Sequence, residues 1–189
     1  MRILAVIPAR GGSKGIPRKN VRLLAGKPLI YYSIHTALAC NVITDVAVTT
    51  DSVEIADLAE QYGAVVVLRS SALAGDDVTI DPVVHHATCA MEVRTGTAYD
   101  FVVTLQPTTP LLRAETLAQG LDYFFAGAWD TVLSVVNKPR LLWEKRDGEI
   151  VPLYGERRNR QNLRPQYLET GAFLITGRAF VTADSRIGK

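Results

Sequence analysis

Histidine and cysteine are scarce in this chain, three and two respectively among 189 residues. Cys40 and Cys89 lie far apart, and no Cys or His spacing of the metal-ligating kind occurs. His85 and His86 are adjacent, so on a helix their rings point in different directions and cannot readily share an ion. Both cysteines sit in apolar, helix-like stretches, where a reduced thiol is simply buried. Long hydrophobic runs are lacking too. The first one, Ile3 to Ile7, is closed by Pro8 and is too short for a signal-peptide core, and no stretch approaches a membrane span. The expectation is therefore a cytoplasmic location. A dominant charge is also missing: 21 Lys and Arg against 19 Asp and Glu leave +2, which argues for neither nucleic acid nor a membrane as partner. Internal repeats and low-complexity tracts are absent.

What remains is ordinary globular material, 48% apolar, long enough for one domain with a sizeable core. Apolar runs of strand length alternate with amphipathic runs of helix length, the pattern of a mostly parallel α/β sheet. Strands are expected at 2–8, 44–50, 64–68, 100–105, 130–136 and 171–176. Pro28 suits the first turn of a helix running through Leu38. Asp51 is expected to cap the next helix, with Glu54 completing a capping-box pair and Gly63 ending it, so Asp51 is assigned no part in chemistry. Further helices are expected at about 80–94 and 114–125, and another begins near Arg178. Asp147-Gly148 signals a hairpin within 142–154. The architecture is then one domain over 1–189, a doubly wound sheet with an inserted excursion at 137–170. Ligands of such sheets sit at the carboxyl ends of strands, so the loops after the first, third and fourth strands are the places to look.

The loop after the first strand, Pro8 to Asn20, packs Arg10, Lys14, Arg18 and Lys19 among Gly11, Gly12, Gly15 and Ser13. Glycines let backbone N–H groups approach a phosphate, and the cations stabilise a triphosphate and a leaving pyrophosphate. The spacing is neither a Walker A loop nor G-x-G-x-x-G, so the phosphate is held in another way.

IPARGGSKGIPRKN at 7–20 resembles the signature of the acylneuraminate cytidylyltransferases, the CMP-sialic acid synthetase family. The likeness extends in order to TTD at 49–51, VVLRS at 66–70, LQPTTPLLR at 105–113 and RQNLRPQYLETGAF at 160–173. The resemblance implies a nucleotide-diphospho-sugar transferase fold, related to the Rossmann type. It implies transfer of CMP from CTP to a nine-carbon acidic sugar, with release of pyrophosphate. It assigns Arg10, Gly11, Gly12, Ser13, Lys14, Lys19 and Asn20 to the nucleotide, with Arg10, Lys14 and Lys19 acting on the reacting phosphates. Arg69 corresponds to a nucleotide-contacting arginine, and Asp76 to a position near the base that equally suits a cap.

Gln106 and Thr108, on a loop stiffened by Pro107 and Pro110, offer donors and acceptors to a polyhydroxylated sugar, and in the family this glutamine faces the acceptor. Arg160, Gln161, Tyr167 and Thr170 are assigned to the sugar as well, Arg160 matching its carboxylate with two parallel hydrogen bonds. In the family this excursion forms a dimer contact, which implies a homodimer with Arg160 acting in the neighbour's site. Leu168, Thr170 and Leu141 depart from the pattern of some bacterial relatives, leaving the acceptor open among N-acetylneuraminic, legionaminic, pseudaminic and KDN-like acids. Family members also continue into an aspartate motif that holds Mg²⁺. That motif does not occur before Lys189, so the Mg²⁺ ligands are expected outside this sequence and catalysis without them is expected to be weak. The alternatives are a cytidylyltransferase for the eight-carbon sugar KDO, whose glycine loop differs, and a CTP-binding module without catalysis.

Overall fold

The computed structural model describes residues 1–13 and 15–188. The chain divides into two compact units, one of Met1–Ser134 with the described residues from Gly171 onward, the other of Val135–Thr170.

In the first unit, β1 (Ile3–Pro8) is buried along nearly its whole length, as a strand covered on both faces must be. The loop after it contains a hairpin that the apolar pattern does not signal, β2 (Leu23–Leu24) and β3 (Lys27–Pro28). Ala25 and Gly26 both take positive φ there, 47° and 82°, as a two-residue hairpin turn requires. Pro28, expected inside the first helical turn, instead ends β3, and α1 (Leu29–Leu38) starts one residue later. Then follow β4 (Asp45–Thr50), α2 (Val53–Gln61), β5 (Val65–Leu68), α3 (Ile80–Thr95), β6 (Phe101–Leu105) and α4 (Ala114–Ala126). Cys40 lies just beyond α1 rather than in it and is buried, whereas Cys89 is half-buried in α3. The helix expected from Arg178 is a single 3-10 turn, Arg178–Phe180.

Two long strands leave one unit for the other, β7 (Thr131–Asn137) outward and β10 (Tyr167–Gly177) on return. The sheet order is β5-β4-β1-β6-β10-β7. The strands from β5 to β6 pair in parallel, and β10 runs antiparallel to β6. The connections leave β1 in opposite directions, towards β4 and later towards β6, which makes a switch point beside the end of β1.

Alternation assigns each strand residue to a face. Ile3, Ala5, Ile7, Val46, Val48, Val103 and Leu105 pack against α1, α2 and α4, through Ile30, Ile34, Ile55, Leu117 and Leu121 among others. Leu4, Val6, Ala47, Val67 and Val102 pack against Val84, Ala87 and Met91 of α3. Each fully buried Leu, Ile or Met contributes on the order of 2 kcal/mol. At the amino end of the sheet the polar contacts are structural. Arg2 and the Tyr99 hydroxyl both donate to Asp45 Oδ2, at 2.8 and 2.9 Å, and burial with Asp45 pushes the Tyr99 hydroxyl up to about 12.

The second unit contains the hairpin of β8 (Trp143–Arg146) and β9 (Glu149–Pro152), turning at Asp147 and Gly148 with φ of 52° and 89°. Asn137 and Gln166 fasten its two ends: Gln166 N–H donates to Asn137 Oδ1, and Lys138 N–H to the Gln166 carbonyl.

Candidate active site

The alternation that sorts the core also selects the site. On the α3 face the series Leu4, Val6, Pro8 leads on to Arg10; Val65 and Val67 to Arg69; and Val102 and Thr104 to Gln106. Arg10, Arg69 and Gln106 all line one cavity of about 630 Å³ at the carboxyl ends of β1, β5 and β6. Ser13, Lys19, Asn20, Asp76 and Thr108 line it as well, and the segment between β5 and α3 makes its apolar wall through Leu73 and Val78, continued by Ile80. Thr79 and Ile80, also in the lining, are the cap and first residue of α3, a 16-residue helix whose positive end meets the cavity.

Arg69 is the most informative side chain. It is only 9% exposed, and its Nε and Nη1 are buried with no partner among the described residues. Burial lowers its pKa from the usual arginine value; the Asp51 carboxylate opposes this and Arg10 adds to it. A buried guanidinium with idle donors is costly unless a ligand brings acceptors. The backbone holds it firmly, since Arg69 N–H donates to the Thr50 carbonyl at 2.9 Å.

Asn20 is similarly arranged. Its Nδ2 donates to the Arg10 carbonyl at 2.9 Å, while its buried Oδ1 has no partner among the described residues. Arg10 Nη1 bonds Asp76 Oδ1 at 2.9 Å and the Gly75 carbonyl at 3.3 Å, tying the glycine loop to the wall opposite. Thr109 closes a turn on the Gln106 carbonyl through both its N–H and its hydroxyl. A Cβ on Gly171, whose φ is +70°, would stand 3.1 Å from Gln106 Nε2, so the start of the buried part of β10 keeps clear of this amide.

Expectations change here at Asp51 and at the first glycines of the loop. Asp51 is not a helix cap: Ser52 occupies the cap position without a side-chain cap bond, and Asp51 Oδ1 accepts the Gly11 N–H at 2.9 Å. That commits the Gly11 amide, so any free amides for an anion begin at Gly12. Gly11 and Gly12 do not line the cavity themselves. Lys14 lies outside the described residues. Arg160 and Gln161 form an exposed 3-10 turn, and with exposed Tyr167 and Thr170 they belong to the second unit. The apolar wall at 73–80 was legible only as a loop position after a strand, not residue by residue.

The sequence pattern of the family described as cytidylyltransferase matches residues 4–142, which takes in every lining residue of the cavity. The chain belongs to the cytidylyltransferase family. It is 46% identical over 123 residues to the CMP-N,N'-diacetyllegionaminic acid synthase of Legionella pneumophila, covering 65% of this chain and 53% of that protein. It is 37% identical over 144 residues to the N-acylneuraminate cytidylyltransferase A of Danio rerio, covering 76% of this chain and 32% of that one. The chain thus spans about half or less of the length of these relatives. Among solved structures it shares its fold with a CMP:2-keto-3-deoxy-manno-octonic acid synthetase in complex with CTP. The TM-score is 0.68 at 19% identity, over 95% of this chain and 75% of that one.

Proposed function

We propose that this cytidylyltransferase chain holds CTP in the 630 Å³ cavity and transfers CMP to the anomeric hydroxyl of a sialic-acid-like nine-carbon sugar. The observation that carries the reading is the convergence of Arg10, Lys19 and Arg69, whose Nε and Nη1 have no partner among the described residues, at one end of the sheet, beside Asn20, Gln106 and Thr108. In the reaction the anomeric hydroxyl gives up its proton to solvent as its oxygen bonds to the α-phosphorus. The bond from that phosphorus to the bridging oxygen breaks, and pyrophosphate departs with the electron pair. The charge that gathers on the leaving group falls among fixed cations and needs little rearrangement to be met. Arg10 and Lys19 serve the phosphates, Arg69 and Asn20 the nucleoside, and Gln106 and Thr108 the sugar hydroxyls.

The named relatives above one-third identity are named for diacetyllegionaminic and N-acylneuraminic acids, which supports a sialic-type acid over KDO, where the likeness is one of fold. A homodimer is part of the proposal, with Arg160, Gln161, Tyr167 and Thr170 completing the partner's sugar site. So is a cytoplasmic location; among the described residues no helix is long and apolar enough to cross a membrane.

For Mg²⁺, no group of three His, Cys, Asp or Glu among the described residues could hold an ion. Asp51 and Asp76 are engaged with Gly11 and Arg10. The described residues do not make a metal site of their own. Mg²⁺ is proposed as the ion that accompanies the triphosphate.

The test is pyrophosphate release from CTP and Mg²⁺ with a panel of nine-carbon acids and KDO, using this chain and a version lengthened to match its relatives. Release with a nine-carbon acid is expected. Release with KDO alone would exchange the acceptor class, and CTP binding without release from either version would leave a binding module.

A further inference from the structure

The glycine loop would be too supple to place a triphosphate unless something outside it fixed its path. Three contacts do this, all at the junction of β4 and α2. Ala9 N–H donates to the Thr49 carbonyl at 3.0 Å, prolonging the β1–β4 ladder by one step. Gly11 N–H donates to Asp51 Oδ1 at 2.9 Å. Arg18 pairs with Glu54 in the first turn of α2. The approach at Gly11 is close: a Cβ there would stand 3.0 Å from Ser52 Cβ, so any larger residue would make Ser52 give way by a few tenths of an ångström. The first and third contacts are a main-chain pair and an exposed ion pair, and the latter is worth little. Asp51 supplies the side-chain anchor on the strand side of the loop root, opposite the bond of Arg10 to Asp76.

Asp51 itself is well fixed. The Thr50 carbonyl on one side of it takes Arg69 N–H, and Ser52 N–H on the other donates to the Thr50 hydroxyl at 3.1 Å. The same strand end thus holds Gly11 by a carboxylate and Arg69 by a main-chain bond. Two walls of the cavity hang from three consecutive residues, Thr50 to Ser52.

We infer that Asp51 is a positioning residue for the triphosphate, holding the glycine loop in register with the strand ends through the Gly11 amide; this rests on the proposed CTP site. Asp51 does not line the cavity and touches no reacting atom, so its effect is on where Ser13 and Lys19 stand rather than on the chemistry. The amide is the point of purchase, so an asparagine, whose side-chain oxygen accepts the same N–H, should serve nearly as well.

The experiment measures CTP and cytidine affinity of the wild-type chain, Asp51→Ala and Asp51→Asn, with thermal melts and trypsin cleavage at Arg10 to Lys19. Asp51→Ala is expected to bind CTP about tenfold more weakly, to keep its cytidine affinity within about twofold and to be cut faster in the loop. Asp51→Asn is expected to match wild type in affinity and cleavage within about threefold. Undiminished CTP binding by Asp51→Ala, or equal losses in both variants, would overturn the inference. If Asp51→Ala does not fold, Asp51→Leu, similar in size but without an acceptor for the Gly11 N–H, takes its place: weakened CTP binding with cytidine affinity kept is expected, and undiminished CTP binding would overturn the inference. A wild-type chain that fails to bind CTP would instead sink the CTP site itself.

Discussion

Arg69 is where the folded state and the function make opposite demands. Its guanidinium lies buried with two nitrogens idle, and its pKa is lowered by that burial. Methionine fills similar volume without charge or unmet donors. Arg69→Met should therefore be as stable as wild type or about 1 kcal/mol more stable, as when buried ionic groups are replaced by apolar ones. Its CTP affinity should fall at least about tenfold. A melt paired with a CTP titration checks both. A loss of stability would mean that Arg69 is held for structure, through contacts other than its side-chain nitrogens.

Among the elements, α3 has two duties. Its first residue meets the cavity, and its last turns tie down the chain after β10, where Arg178 Nε and Nη2 donate to Glu92 at 2.8 Å each. The Arg178 guanidinium holds the Glu92 carboxyl below the ordinary value of 4.5, against the opposing effect of burial. A depressed carboxylate stabilises the fold above its unfolded pKa, and this is lost as pH falls through the folded value. Glu92→Gln should cost about 1–3 kcal/mol near neutrality. It should also shed stability less steeply than wild type below pH 4.5, as urea melts at several pH values would reveal.

At this same scale the sequence was legible where one rule dominates. The apolar runs of β1, β4, β5 and β6 and the helices between them carry a strong periodic signal, and the Asp147-Gly148 turn carries its own chemistry. Less legible was whatever depends on distant partners. Two-residue strands such as β2 and β3 have no period to detect. The eleven-residue span of β10 exceeds its apolar part, 171–176, because its first residues are exposed. Asp51 was misassigned for a related reason: an aspartate before a helix fits a cap, and nothing local reveals that Gly11 is near. Arg10 and Gln106 stand out because loop position after a strand is itself a sequence-level feature, whereas Arg69 is singled out through the family resemblance.

At the scale of the whole molecule, the two units divide the proposed work. The nucleotide residues and Gln106 lie in the larger one, while Arg160 and its neighbours lie in the smaller. If Arg160 serves the partner's site, mixing separately inactive Arg10→Ala and Arg160→Ala subunits should restore about a quarter of wild-type activity, because half the dimers are mixed and each has one intact site. Action within one subunit predicts no recovery. An excess of either variant should lower the recovered activity in the manner of a random mixture.

The central claim, that the carboxyl ends of β1, β5 and β6 form a CTP site, is tested most directly by calorimetric titration of this chain with CTP, UTP, ATP and GTP. The account predicts one site per chain that prefers CTP by about tenfold or more, with the CTP heat much reduced in Arg69→Met. Absence of CTP binding, or equal binding of all four nucleotides, would contradict it.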